Sequence, residues 1–373
     1  MNSNFKPLLE TFTLKQGNQL KNRLVMAPMT NFASHPDGTV SDSEIDYYVR
    51  RSKGVGMVVT ACTYVTQNGK GFHGEFGADH DGMIPSLSRL ASSIKEQGAK
   101  AILQIFHGGR SCPPELVPNG ETVSASAVPH EGSDVTPRAL TESEVEEMIT
   151  AFGETTRRAI EAGFDGVEIH GANGYLLQQF FSPHSNRRDD RFGGSLEKRL
   201  TFPLAVVDEV QKVVEKHAKE PFIVGYRFSP EEEETPGIIM SDTLVLVDAL
   251  AEKGLDYLHV SLMDFWSNPR RGVEPTKTRI EYLLEKIGDR VPLIGVGSIH
   301  TPEEAVKALN AGVPLLALGR ELIMEPDWVQ KVAEGRESEI ATTLSKQDQE
   351  KLVIPDYLWG AIINTPGWFP VVD

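Results

Sequence analysis

The sequence predicts an α/β protein built as a single (β/α)8 TIM barrel, and three observations carry that expectation. Eight short apolar runs rich in β-branched residues recur along the 373-residue chain, amphipathic stretches of helical length separate most of them, and a helix–Gly–strand unit repeats in EAGFDGVEIH, EKGLDYLHV and NAGVPLLALG. An open doubly wound sheet would more often have about five to seven strands, so eight strands alternating with helices favour a closed barrel.

In chain order the strands are expected at 23–27 (RLVMA), 56–60 (GMVVT), 101–105 (AILQI), 165–169 (DGVEI), 222–227 (FIVGYR), 256–260 (DYLHV), 293–296 (LIGV) and 315–318 (LLAL). Helices are expected at 43–53, 84–98, 141–162, 194–216, 242–253, 276–288 and 302–311, with 326–335 after the last strand. Thr141 and Glu144 read as a capping box, Thr301-Pro302 as a helix start, and Gly98, Gly163, Gly254 and Gly312 as helix stops. Residues 1–335 form the barrel in this reading. The Pro-, Gly- and Ser-rich stretch 107–140 is too long for a simple connector and reads as a functional insertion over the barrel mouth. The tail 336–373 carries Trp359 and Trp368 and is expected to pack on the barrel or to serve a contact in a homo-oligomer.

Composition narrows the function classes. With 40% hydrophobic and 24% charged residues the chain can bury a large core. Its net charge of −16 repels phosphate backbones and anionic lipid, which argues against nucleic-acid and membrane partners. Cys62 and Cys112 are too few for a four-cysteine cluster and suit a reducing cytoplasm. No export signal or uncharged run of membrane-spanning length is apparent. The ten histidines show no ligand spacing, so no metal site is expected.

Active sites of such barrels stand at the C-terminal ends of the strands. At the ends of strands seven and eight, Gly297, Ser298, Gly319 and Arg320 place bare backbone N–H groups and one permanent cation where a phosphate can bind. Turning the chain from strand to loop is the plainer use of both glycines. After strand four, His170, Asn173 and Tyr175 bring two donors and a phenol together, a set able to stabilise charge on a substrate oxygen and deliver a proton. Each of the three alone has an ordinary structural role available. Arg227 interrupts an apolar strand and calls for an anion or a polar ring, unless it pairs with a barrel carboxylate such as Glu168. No strand end presents a lysine, which leaves a Schiff-base aldolase without its nucleophile. A non-redox phosphate-binding isomerase or aldolase is the alternative reading of the same barrel.

Five segments stand together in order: Asn22 to Thr30 (NRLVMAPMT), Gln104 to Arg110 (QIFHGGR), Glu168 to Leu176 (EIHGANGYL), Phe181-Ser182-Pro183 through Ser185-Asn186-Arg187 to Arg191-Phe192-Gly193-Gly194-Ser195, and Leu318-Gly319-Arg320. In these segments the chain resembles the Old Yellow Enzyme family of NADH:flavin oxidoreductases. The resemblance runs from about Phe5 to about Gly335.

This resemblance implies FMN as cofactor and NADH or NADPH as reductant. It implies that Pro28, Met29, Thr30, Ala61 and Gln104 line the flavin ring, that Arg227 faces flavin N1 and O2, and that Gly297, Ser298, Gly319 and Arg320 hold the phosphate. His170 and Asn173 become the donors to a substrate carbonyl oxygen, and Tyr175 the proton donor. The activity implied is ping-pong ene reduction through flavin N5, acting on activated alkenes and on nitro compounds that share the oxygen-binding pair. Two departures stand out. Some bacterial relatives carry cysteine where this chain has Thr30, and larger members add an iron–sulfur segment and a pyridine-nucleotide domain for which this chain has neither the cysteines nor the length. Electrons are therefore expected to pass straight from NAD(P)H to one flavin.

Overall fold

The computed structural model describes residues 2–130 and 132–373, so within the 107–140 stretch only Glu131 lies outside the described residues, and within 1–335 Met1 as well. Eight parallel strands close on themselves in the order of the chain: β1 (Leu24–Met26), β2 (Met57–Tyr64), β3 (Lys100–Phe106), β4 (Gly166–Gly171), β5 (Ile223–Phe228), β6 (Tyr257–Val260), β7 (Leu293–Gly295) and β8 (Leu315–Leu318). The seam is made by Leu316, Ala317 and Leu318 of β8 in register with Leu24, Val25 and Met26 of β1. Every strand residue but Lys100 is buried, as befits parallel strands covered on the outside by helices and on the inside by each other.

The principal helices are α1 (Asp42–Ser52), α2 (Ile84–Glu96), α3 (Glu142–Glu161), α4 (Thr201–His217), α5 (Met240–Ala251), α6 (Arg279–Ile287), α7 (Pro302–Asn310) and α8 (Trp328–Glu334). The capping boxes at Thr141/Glu144 and Thr301/Glu304 are formed, and a third, Thr278/Glu281, starts α6. The helix expected at 194–216 is two: Leu196–Arg199 and α4, joined at Leu200. Gly98, Gly163, Gly254 and Gly312 all take positive φ at the turns that follow helices.

A short antiparallel hairpin, Phe12–Thr13 with Gln19–Leu20, precedes β1. Its neighbours Leu14 and Leu20 join Val25, Val59, Ile102, Ile223, Ile294 and Leu315 in an apolar cluster inside the barrel. The stretch 107–140 holds three single-turn 3-10 helices and a parallel pair, Val123–Ser124 with Arg138–Ala139. The tail folds back with helices Gln349–Leu352 and Asp356–Asn364 and a parallel pair, Leu344–Ser345 with Val371–Val372. Arg51 of α1, fully buried, donates from Nη2 to the Leu352 carbonyl at 2.6 Å and lies over the Tyr47 ring at 4.0 Å.

Glu44 of α1 is also fully buried, and the hydroxyl of Ser34 donates to its Oε2. Burial pushes its carboxyl up to about 7, offset only in part by Ser34 and Asn31. Folded protein therefore holds this proton more tightly than unfolded protein. The contribution of Glu44 favours the fold below about pH 4.5 and is lost as pH rises to about 7, a swing of about 3 kcal/mol. Glu44→Gln is expected to narrow the gap in stability between pH 5 and pH 8. Denaturant melts at the two pH values check this, and parallel losses in both proteins would refute it.

Candidate active site

The floor of the barrel mouth is built from side chains that the strand register lines up. Cys62 pairs with Gln104, Gln104 with Glu168, and Glu168 with Gly225; one step higher His170 pairs with Arg227, and Arg227 with His259. Glu168, fully buried, accepts from Gln104 Nε2 at 2.7 Å, from the Tyr257 hydroxyl at 3.0 Å and from His259 Nδ1 at 2.9 Å. Burial opposes its charge, yet His259, Arg227 and Gln104 together hold its carboxyl below the usual carboxylate range. Residue 225 must be glycine for this arrangement, because a Cβ there would meet the Tyr257 ring at 2.1 Å.

Arg227 is buried, makes no hydrogen bond with Glu168, and leaves its Nε without a partner. Burial lowers its pKa, with Glu168 opposing that effect through space. A guanidinium so placed has donors to spare for an anionic or polar ring. Gln104 spends an amide N–H on Glu168.

At the end of β4 the backbone sets the tautomer of His170. The Ala172 N–H donates to His170 Nδ1 at 3.2 Å, so in the neutral ring the proton sits on Nε2. Burial brings the imidazole pKa down to about 3, with Arg227 adding to the effect, and the ring stays neutral. Asn173 takes φ +58, a conformation asparagine tolerates, and its Oδ1 accepts from Ser261 Oγ at 2.8 Å. That tether leaves Nδ2 as its outward donor. Tyr175 caps the short buried helix Leu176–Phe181 and packs edge-on against His170 at 5.1 Å, Phe106 at 5.0 Å and Phe72 at 6.2 Å between ring centres. Burial raises the phenol above its ordinary value, so it holds its proton.

A cavity of about 330 Å3 opens beside this cluster, lined by Pro28, Met29, Asn173, Arg227, Gly297, Ser298, Gly319 and Arg320 among others. Eight of the thirteen residues expected at the site thus face one space. Thr30, Ala61, Gln104, His170 and Tyr175 do not line it, and stand instead within or just beyond β1 to β4. The polar end of the cavity is stitched by a chain of bonds: Arg320 Nη2 donates to Ser298 Oγ at 2.7 Å, and that hydroxyl donates to the Met263 carbonyl at 2.6 Å. Gly297, at φ +140, lies so close to the next loop that a Cβ would sit 2.4 Å from Phe265 N. The unpartnered Arg227 nitrogen at one end, and the close-set glycine with a cation at the other, fit a polar ring carrying a phosphate.

Sequence reasoning missed four contributors. Phe72 is held by its N–H to buried Glu75 Oε2 at 3.0 Å and walls Tyr175 without any motif to announce it. Ser261 orients Asn173 from β6, and His300 pairs with Glu321 at 2.9 Å on the cavity wall. Trp368 reaches the same cavity from the tail. Among the described residues no group of His, Cys, Asp and Glu could hold a metal ion, and no helix is long and apolar enough to cross a membrane.

Residues 5–339 match the family described as NADH:flavin oxidoreductase / NADH oxidase. The chain is 56% identical to a probable NADH-dependent flavin oxidoreductase, YqiG, of Bacillus subtilis over the full length of both. It is 45% identical to an NADH:fumarate oxidoreductase of Klebsiella pneumoniae, matching over 94% of this chain but only 38% of that longer protein. Among solved structures, the old yellow enzyme of Trypanosoma cruzi is similar, with a TM-score of 0.76, 28% identity, and coverage of 89% of this chain and 93% of that one.

Proposed function

Since the chain belongs to the NADH:flavin oxidoreductase / NADH oxidase family, we propose that it reduces the activated C=C bond of α,β-unsaturated carbonyl compounds with electrons from NAD(P)H. It is an NAD(P)H-dependent flavin oxidoreductase of Old Yellow Enzyme type with FMN as cofactor, which sets aside the non-redox phosphate barrel. The finer reading is supported by one observation: His170, its tautomer set by the Ala172 N–H, packs against a phenol that keeps its proton, and Asn173, three residues on, is tethered through its Oδ1.

When bound, FMN supplies the hydride relay between the nicotinamide and the acceptor. Pro28, Met29, Thr30, Ala61 and Gln104 would line its ring, Arg227 would offer its free donors to the polar edge of that ring, and Gly297, Ser298, Gly319 and Arg320 would hold the phosphate. His170 Nε2 and Asn173 Nδ2 donate to the carbonyl oxygen of the acceptor, where charge develops as the β-carbon is reduced. Neither donor needs to change protonation state, because His170 is neutral throughout the working range. The Tyr175 hydroxyl delivers its proton to the α-carbon, and Phe72 and Phe106 keep water from that side of the phenol. A nitro group presents its oxygens to the same two donors.

The test is a visible spectrum of the purified protein, followed by anaerobic additions of NADH or NADPH and then cyclohexenone. The expected result is a flavin band that bleaches with the nucleotide and recovers with the enone. A band that bleaches and ignores the enone, and other activated alkenes after it, would retain the flavin oxidoreductase and overturn the ene reduction. A protein that takes up no flavin when supplied with FMN would overturn the cofactor assignment.

A further inference from the structure

The residues 364–367 that connect the last tail helix to Trp368 are exposed, whereas Phe369 just beyond is buried in the main core with Leu344, Leu358 and Ile362. The pairing of Val371–Val372 with Leu344–Ser345 fixes the chain on the far side. Trp368 is thus held between a solvent-facing turn and a buried anchor, its ring 4.9 Å from that of Phe369. It lines the 330 Å3 cavity together with Arg320, Ser298 and Gly297, and among the described residues it is the cavity's only lining residue from the tail.

The backbone of the same residue reaches the cation. Arg320 divides its guanidinium, Nη2 donating to Ser298 Oγ at 2.7 Å and Nη1 to the Trp368 carbonyl at 3.0 Å. A half-buried arginine with one acceptor could swing among rotamers; with a second acceptor on another segment its planar fork is fixed. The tail therefore supplies both a lining residue of the cavity and a bond that fixes the direction of its cation.

We infer that Trp368 is a cofactor-binding residue: the tail closes the phosphate end of the FMN site and slows release of the cofactor. This rests on the reading above that Gly297, Ser298, Gly319 and Arg320 hold the phosphate. The indole shields the phosphate end from water, which strengthens the charge-assisted bonds made there, and the Trp368 carbonyl keeps Arg320 aimed at it.

The experiment uses the holoenzyme, diluted into FMN-free buffer while the return of free-flavin fluorescence is followed. Loss of the aromatic contacts in Trp368→Ala is expected to speed release by about ten-fold, with Trp368→Phe restoring most of the difference. Tyr357→Ala, on the exposed face of the tail helix, is expected to release flavin as the parent does. Apoprotein reconstituted with riboflavin, which lacks the phosphate, should show little difference between parent and Trp368→Ala. Equal release rates in parent and Trp368→Ala would overturn the inference while leaving the flavin assignment in place. Equal weakening toward FMN and riboflavin would also overturn it, because the tail would then act on the fold rather than on the phosphate end. Failure of the parent itself to bind FMN would instead sink the reading on which the inference rests.

Discussion

Tyr175→Phe is expected to slow reoxidation of the reduced enzyme by an enone by about 10²–10⁴-fold, the usual contribution of a positioned general acid, while reduction by NAD(P)H stays within about two-fold of the parent. The two half-reactions separate because the phenol touches only the step that needs a proton on carbon. Its edge-on contacts with His170, Phe106 and Phe72 survive in phenylalanine, so packing is preserved and the loss reports the hydroxyl alone. Burial holds the phenol protonated, and His170 sits near a pKa of about 3, so the parent's reoxidation rate should show no inflection from these two groups between about pH 5 and 9. Stopped-flow absorbance of each half-reaction checks both points. Equal slowing of the two half-reactions would remove Tyr175 from the role of proton donor.

Arg227→Met is expected to weaken FMN binding by about 10²-fold, the loss of one or two charge-assisted hydrogen bonds, without lowering the melting temperature of the apoprotein. The second half of that result carries the discrimination. In the parent, Arg227 is a buried cation with an unpartnered Nε and no hydrogen bond to Glu168; its through-space support of Glu168 is shared with His259 and Gln104, which remain, so the relief of an unsatisfied charge by methionine is expected to offset that loss. Flavin titration by fluorescence quenching and apoprotein melting curves test the two halves. A destabilised apoprotein would mean that Arg227 serves the barrel by neutralising Glu168, the internal pairing that the sequence left open.

The legible parts of the fold were those with contrast against their surroundings. All eight strands announced themselves as apolar runs, and the capping residues Thr141 and Thr301 marked helix starts where the structure has them. Strand β2 runs on to Tyr64, four residues past its apolar run, because Thr60 and Thr63 interrupt the apolar pattern and the register shifts between Val59 and Cys62. Leu176–Phe181 escaped notice for the opposite reason: all six residues are buried, so no amphipathic period exists to detect. The site was legible where a motif carries the chemistry, as at His170, Asn173 and Tyr175. It was illegible where the role comes from tertiary approach. Nothing local to Ser261 tells of Asn173, 88 residues away, and nothing near Trp368 tells of Arg320, 48 residues back. Gln104 and Glu168 were visible as polar residues in strands, but their mutual bond depends on the register of β3 against β4.

The seam between β8 and β1 ties the cavity to the stability of the whole chain. The Ala27 N–H donates to the Leu318 carbonyl at 2.9 Å, and the next residues on either side, Pro28 and Gly319, are both cavity walls. Those walls are brought together by a contact of very high sequence separation, whose loop-closure cost the rest of the barrel must offset. A flavin held between these walls would act as a latch on the seam, so thermal stability is expected to rise with the concentration of free cofactor.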